Sequence, residues 1–178
     1  VYHHKIKIYI INSMNSKFDD ALILIKKGQI VEAKNIFTEI LKLDPKNFSA
    51  YNNRGNIYLM LGDLDNALQN YDKAIKLKPD FADAYNNKGN VLQKLNKHED
   101  AVESYQKATK FDQNHVQAYY NLGRILKLQE KYLLAIENFE KAIKLKPNYV
   151  EPYLGLGNLY LKLKKNNLAL ENFENAIK

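Results

Sequence analysis

Small and aromatic residues recur in this sequence at a fixed interval of 34 residues. Glycines, alanines and aromatic residues each keep that interval, so one stretch of sequence is repeated about five times. Repetition of this length is typical of arrays that are built from one supersecondary unit. The recurring residues are Tyr51, Tyr85, Tyr119 and Tyr153; Gly55, Gly89, Gly123 and Gly157; Ala33, Ala67, Ala101, Ala135 and Ala169; and Phe37, Tyr71, Tyr105, Phe139 and Phe173.

Within each unit the apolar positions follow a helical spacing. At 100° per residue, the recurring tyrosine, the glycine and the aromatic or aliphatic residue three places later lie within about 60° on one helix face. An alanine, an aromatic residue and a second alanine form another face further along. Gly62 predicts a turn between the two helices, and Pro79 predicts the end of the second. In the second unit the two faces are Tyr51, Gly55 and Tyr58, then Ala67, Tyr71 and Ala74.

A single helical hairpin of this kind does not bury enough apolar surface to offset the entropy of ordering its chain. Its stability must come from stacking on its neighbours. We therefore predict an all-α fold, a right-handed superhelical array (an α–α superhelix, or solenoid) of about five helix-turn-helix units with an inner groove. The predicted units are residues 14–47, 48–81, 82–115, 116–149 and 150–178.

Residues 1–13 lie outside the repeat. The segment from Val1 to Ile10 alternates between apolar and polar residues, a pattern typical of a strand. A lone strand without a partner is only marginally stable. We predict that residues 1–13 are an N-terminal tail or the remnant of an earlier element.

The repeat resembles the tetratricopeptide repeat (TPR) over residues 14–178, because its glycine, alanine, aromatic and proline positions recur at the spacing of that family. The first unit departs from the pattern, with Lys17 and Ala21 where later units have tyrosine and glycine. The last unit reaches Lys178 without a closing proline. The resemblance implies an inner groove that binds peptide segments.

Composition and charge narrow the function classes. The chain has 178 residues and no cysteine, which excludes a disulfide framework and thiolate chemistry. Its net charge of +7 comes almost entirely from lysine, since Arg54 and Arg124 are the only arginines. Lysines that alternate with acidic residues are typical of solvated helix faces, so nucleic-acid binding is not favoured. No apolar run could cross a membrane and no signal peptide is evident, so we expect a cytoplasmic protein.

No pattern in the sequence indicates catalysis. Phosphate-binding loops, nucleophile elbows and metal-ligand spacings do not occur. We therefore predict a protein that is not an enzyme and has no cofactor and no metal site. His115 lies between two units, where we expect it to be exposed to solvent.

Asparagines recur on the side of the first helix that faces away from the predicted core. An amide side chain both donates and accepts a hydrogen bond, as the backbone of an extended peptide does. This ladder resembles the groove of the repeat arrays of O-linked N-acetylglucosamine transferases. Lysine is missing from the places that the chaperone-tail clamp of the family requires, so that clamp is not predicted. The predicted peptide-binding residues are Asn52, Asn53, Asn56, Asn86, Asn87, Asn90, Tyr120, Asn121, Arg124 and Asn158.

These observations favour a protein–protein interaction scaffold that binds an extended segment of a partner protein in its groove. An alternative is the substrate-recognition arm of a larger, glycosyltransferase-type enzyme. RNA binding by a helical repeat is a lesser alternative, which would require groove-facing arginines. The last unit also carries apolar residues such as Leu168 and Ile177 that could stack on a second copy.

Overall fold

The computed structural model describes residues 2–177 and the side chains of residues 13–177. Helices account for nearly all of this part of the chain, and short turns join them. The helices are α1 (Tyr2–Lys26), α2 (Ile30–Leu43), α3 (Phe48–Met60), α4 (Leu64–Leu77), α5 (Ala82–Lys94), α6 (His98–Phe111), α7 (Val116–Leu128), α8 (Tyr132–Leu145), α9 (Val150–Lys162) and α10 (Asn166–Ile177). The prediction of an all-α fold of paired helices is confirmed.

Contacts divide the chain into two compact units, Val1–Asp80 and Phe81–Lys178. In the first unit α1 packs on α2, α2 on α3 and α3 on α4. The residues buried in its core include Ala33, Phe37, Ile40, Ile57 and Tyr71. Each helix thus buries its apolar face against its neighbours in sequence, as the repeat pattern predicts.

The second unit contains three helical hairpins, α5–α6, α7–α8 and α9–α10. Consecutive hairpins also touch, because α6 contacts α7 and α8 contacts α9. The first helices form a row of their own, in which α7 contacts both α5 and α9. Val91, Tyr105, Ile125, Phe139 and Leu159 are fully buried between these helices.

The recurring glycines allow the aromatic residue of the second helix to lie against the first helix. A Cβ atom at Gly55 would lie 2.7 Å from Cε1 of Tyr71, and one at Gly89 would lie 2.6 Å from Cε1 of Tyr105. Real Cβ atoms do not approach other carbons so closely, so a side chain at either place would displace the ring. Gly55, Ala67, Tyr71 and Ala74 are buried as predicted, whereas Tyr51 and Tyr58 are only half-buried.

The turn inside each hairpin contains one residue in the left-handed region of backbone space. Gly28 and Gly62 take this conformation with φ near 76° and 77°, where glycine has no steric penalty. The three later hairpins place other residues there, namely Asn96, Glu130 and Lys164, with φ between 57° and 58°. The turn geometry therefore repeats at the 34-residue interval even where the glycine does not.

The amino-terminal segment is helical. Helix α1 runs from Tyr2 to Lys26, so the alternating pattern of residues 1–10 does not produce a strand. A helix satisfies its backbone hydrogen bonds within itself, which a strand without a partner cannot do. The side chains of residues 1–12 lie outside the described residues, and the separation of residues 1–13 from the repeats stays a prediction.

Candidate functional site

The predicted binding residues lie on the first helix of four hairpins. Three of them, Asn52, Asn53 and Asn56, lie on α3 in the first unit. The others lie on the contacting row α5, α7 and α9 of the second unit. That second set comprises Asn86, Asn87, Asn90, Tyr120, Asn121, Arg124 and Asn158. The structure thus brings the second set together on adjacent helices.

An amide bridge joins α5 to α7. Asn121 is 7% exposed, and its Nδ2 donates to Oδ1 of Asn86 over 3.0 Å and to Oδ1 of Asn90 over 3.1 Å. Asn86 is itself only 6% exposed. Buried polar groups of this kind are usually satisfied inside the protein. Asn86 and Asn121 therefore help to pack the two helices, and little of either amide reaches the surface.

Two further asparagines accept hydrogen bonds from buried tyrosines. The hydroxyl of Tyr71 donates to Oδ1 of Asn56, and that of Tyr105 donates to Oδ1 of Asn90, each over 2.8 Å. Burial raises the pKa of both tyrosines above the usual range, because the ionised phenolate would lose its hydration. Asn56 and Asn90 thus have a structural role that spacing on one helix did not predict.

A signal for this pairing is present in the sequence. The hairpins with tyrosine at the aromatic position of the second helix have asparagine 15 residues earlier, at Asn56 and Asn90. Phe139 has no hydroxyl, and Arg124 stands in the corresponding place. Asn158 likewise stands 15 residues before Phe173, which has no hydroxyl to donate to its amide.

Other asparagines of the set leave more of their surface open. Asn53 is half-buried, and its Nδ2 donates to the backbone oxygen of Ser49 over 2.9 Å. Asn87 is half-buried and accepts a long hydrogen bond from Nδ2 of Asn86. Asn158 is exposed on α9, whereas Asn52 is 6% exposed on α3. In the second unit Asn158 is therefore the exposed amide of the set, while Asn87 and Asn90 are half-buried.

An aromatic cluster lies where α7 meets α9. The rings of Tyr120 and Tyr149 meet edge to face with centroids 5.3 Å apart, and Phe139 lies 6.1 Å from Tyr120. The exposed Arg124 holds its guanidinium carbon 5.6 Å from the centroid of Tyr120. Gly155 allows this packing, because a Cβ there would lie 2.9 Å from Cζ of Phe139. We call Tyr120, Arg124, Tyr149 and Gly155 the aromatic–arginine corner.

The residues that begin α7 and α9 reach back to the preceding first helix. His115 caps α7, with Nδ1 accepting from the amide of Ala118 over 3.2 Å, while Nε2 lies 3.1 Å from Oδ1 of Asp83. Its side chain is only 10% exposed, so the expectation of a solvent-exposed His115 is wrong. The imidazole of His115 is buried because one ring nitrogen caps α7 and the other contacts Asp83 on α5.

Tyr149 occupies the equivalent place at the start of α9. Its hydroxyl donates to Oε1 of Gln117 over 2.7 Å. Burial, together with the charge of Glu151, raises the pKa of Tyr149 to about 12, although the Gln117 bond and Arg124 oppose the shift. These back-reaching contacts fix the spacing between consecutive first helices and so position the aromatic–arginine corner.

The predicted binding residues on α5, α7 and α9 offer hydrogen-bonding and aromatic groups. Within the described residues, no group of three or more histidine, aspartate and glutamate side chains could hold a metal ion. None of the described helices is both long enough and apolar enough to cross a bilayer. Amides, tyrosine rings and one guanidinium are suited to reversible binding.

Family models match the chain across the repeats. A model described as TPR repeat matches residues 55–96, 89–130 and 123–164. Models described as tetratricopeptide repeat match residues 36–69 and 21–47. The chain belongs to the tetratricopeptide repeat family. The likeness of its asparagine ladder to the TPR arrays of O-linked N-acetylglucosamine transferases is not confirmed and stays a prediction.

Solved TPR structures are similar to most of the chain. A crystal structure of MamA is 25% identical, with a TM-score of 0.77 over 88% of this chain and 92% of MamA. PilF of Pseudomonas aeruginosa is 21% identical, with a TM-score of 0.87 over 93% of this chain and 76% of PilF. YrrB, described as a TPR protein with an unusual peptide-binding site, is 23% identical, with a TM-score of 0.70 over 90% and 83%. The likeness to PilF and YrrB concerns the fold alone, and no curated protein sequence matches the chain.

Proposed function

We propose that this TPR protein is an interaction scaffold, and that the row α5, α7 and α9 binds an extended segment of a partner protein. The observation that supports the proposal is the presence of polar residues on three first helices that contact one another. Asn87, Arg124 and Asn158 follow one another along that row with Tyr120 beside them. TPR repeats typically serve as scaffolds without catalysis, and YrrB is described as having a peptide-binding site.

The two kinds of asparagine have different roles in this proposal. Asn86, Asn90 and Asn121 hold the helices in register through their mutual hydrogen bonds. Asn87 and Asn158 offer the amides that meet the partner. One amide can pair with both an N–H and a C=O of an extended backbone, so binding tolerates many sequences. Side chains of the partner then add preference through contact with Tyr120.

The test is peptide selection on the purified chain, followed by measurement of affinity. Random twelve-residue peptides are displayed on phage, and the selected peptides are labelled for fluorescence anisotropy. We expect the double variant Asn87→Ala, Asn158→Ala to bind about tenfold more weakly, because each amide loses about one hydrogen bond of roughly 0.5–1.5 kcal/mol. Thermal unfolding of the variant should match that of the wild type.

The matched control is Asn35→Ala, Asn167→Ala. Both of these asparagines are exposed and lie on second helices, α2 and α10. The control should bind the selected peptides as the wild type does. If selection yields no binder, or if both double variants bind equally well, the row α5, α7 and α9 is not the binding surface.

A further inference from the structure

The two arginines of the chain lie against tyrosines but differ in what they bind. Arg54 has its guanidinium carbon 5.5 Å from the ring of Tyr51, and Nε donates to Oδ1 of Asn70 over 2.9 Å. A second nitrogen of Arg54 lies 3.4 Å from Oγ1 of Thr38. Arg54 is therefore a partly buried residue that links its helix to the two second helices beside it.

Arg124 has no such polar partner. Among residues 13–177, its side chain makes no hydrogen bond and no ion pair. Its guanidinium carbon lies 5.6 Å from the ring centroid of Tyr120, and its charge also acts on the hydroxyls of Tyr105 and Tyr149. It is also exposed. A guanidinium presents five N–H donors in a rigid fork, and contact with an aromatic face restricts its orientation. The guanidinium of Arg124 is thus oriented by Tyr120, and its N–H donors are available to a ligand.

The position of Arg124 departs from the repeat. The corresponding residues of α3, α5 and α9 are Asn56, Asn90 and Asn158. A neutral amide is thereby replaced by a positive charge in the middle of the row α5, α7 and α9. Gly155 and Tyr120 take the places that Asn121 and Asn86 hold one hairpin earlier, so the amide bridge of α5 and α7 has no equivalent at the aromatic–arginine corner.

We propose that Arg124 binds a carboxylate side chain of the extended partner segment, so that the protein selects segments with one acidic residue among neutral ones. This inference rests on the proposed function and adds the chemistry of the partner. Guanidinium and carboxylate pair through parallel charge-assisted hydrogen bonds, which are stronger than those between neutral groups. Tyr120 supports the arginine from behind, and the amides of Asn87 and Asn158 on the adjacent helices meet the neutral backbone on either side.

The surrounding charges favour a single carboxylate over a polyanion. Asp83 and Glu151 are exposed in the first turns of α5 and α9, on either side of α7. Their negative charges repel a nucleic-acid backbone, which carries a phosphate at every nucleotide. An extended peptide can place one acidic residue at Arg124 and uncharged residues beside Asp83 and Glu151.

The experiment uses positional-scanning pools of nine-residue peptides with acetylated and amidated ends, so that any carboxylate belongs to a side chain. Each pool fixes one position as glutamate or as glutamine and is titrated against the full chain. We expect the glutamate pool to bind about tenfold more tightly at one or two positions, as one charge-assisted pair would give. Arg124→Gln should abolish that difference between the glutamate and glutamine pools.

Lys110→Gln is the control variant, because it removes the same charge from an exposed place on the second helix α6. It should preserve the preference for glutamate. The preference of the wild type should also weaken between 50 mM and 500 mM salt, because exposed charges are screened. A labelled single-stranded RNA is titrated in parallel and should bind more weakly than the glutamate pools.

The possible results separate this inference from the proposed function. If glutamate and glutamine pools bind the wild type equally, or Arg124→Gln keeps the preference, Arg124 does not select carboxylates and peptide binding itself stands. If Lys110→Gln also loses the preference, overall charge and not Arg124 is responsible. If no pool binds, the peptide-binding proposal fails as well. RNA binding that exceeds peptide binding and disappears in Arg124→Gln would overturn the proposed partner class.

Discussion

At the scale of single residues, some asparagines form hydrogen bonds inside the protein and others are exposed. The spacing of asparagines in the sequence does not distinguish the two groups. A helix face can be read from the sequence, and the recurring asparagines do lie on first helices. Their partners depend on which neighbouring side chain reaches them. Asn56 and Asn90 accept from tyrosine hydroxyls and Asn121 bridges two other amides, whereas Asn158 is exposed. The interlock of glycine with an aromatic ring was predictable, since it depends on size alone.

The tyrosine–asparagine bond makes a residue-scale prediction. Tyr71→Phe should lower the free energy of unfolding by about 1 kcal/mol, because Oδ1 of Asn56 loses its donor. Tyr105→Phe should have a smaller effect, since Oδ1 of Asn90 keeps the bond from Asn121. Urea denaturation of both variants measures the difference. Equal losses would mean that the Asn121 bond does not compensate for the missing hydroxyl.

At the scale of helices and turns, the repeat pattern predicted most of the architecture. In the last four units the first helices begin at Phe48, Ala82, Val116 and Val150, which are also the first residues of those predicted units. The alternation in residues 1–10 was misleading, because hydrophobic period alone does not say whether a partner strand exists. The capping role of His115 was missed too, since it needs Asp83, 32 residues away, to hold the ring.

The left-handed turn residues predict that one substitution stabilises the protein and another destabilises it. Lys164 is exposed and takes a φ of 57°, a conformation that strains any residue with a Cβ. Lys164→Gly should stabilise the protein by about 0.5–1 kcal/mol, because relief of this strain outweighs the added freedom of the unfolded chain. Gly62→Ala should destabilise it by about 1 kcal/mol, since Gly62 has a φ of 77°.

Chemical denaturation of the two turn variants checks both signs. At Gly62 a Cβ atom would meet nothing within 4 Å, so the new methyl group makes no clash. The change in stability there reports backbone conformation only. A stabilised Gly62→Ala protein would show that the turn is not held in the left-handed region in solution.

At the scale of the whole molecule, the hairpins within each compact unit depend on one another. In the second unit Phe139 lies against both Gly123 of its own hairpin and Gly155 of the following one, and it is fully buried. Stability in such an array is a sum of local terms and contacts between neighbours. A substitution should therefore destabilise mainly the helices that the substituted side chain touches.

Phe139→Ala should lower the stability of the second unit by about 3–5 kcal/mol through the cavity it leaves. Because Phe139 touches α7 and α9 from α8, hydrogen exchange should accelerate most in α7–α9 and less in α5 and α6. Leu133→Ala is the control, since Leu133 is 78% exposed on the same helix. Uniform acceleration across α5–α10 would contradict nearest-neighbour behaviour and indicate a single cooperative unit.

Self-association through the last hairpin stays a prediction. Leu168 and Ile177 are 40% and 86% exposed, as expected from the sequence, and they would be covered if a second copy stacked there. Repetition of the 34-residue interval predicts the stacking within the chain. The repeat does not predict what binds to an exposed helix face, because binding also depends on the surface of the partner.

The side-chain oxygen of Asn90 links the row α5, α7 and α9 to the interior of the hairpin of α5 and α6. It already receives hydrogen from Tyr105 and from Asn121, so an incoming peptide N–H can reach it only by displacing one of them. Such an exchange releases little net heat, and calorimetry of a bound peptide should therefore show a small enthalpy from this part of the surface. It would also disturb the ring of Tyr105, whose near-ultraviolet circular dichroism would then report occupancy from inside the protein.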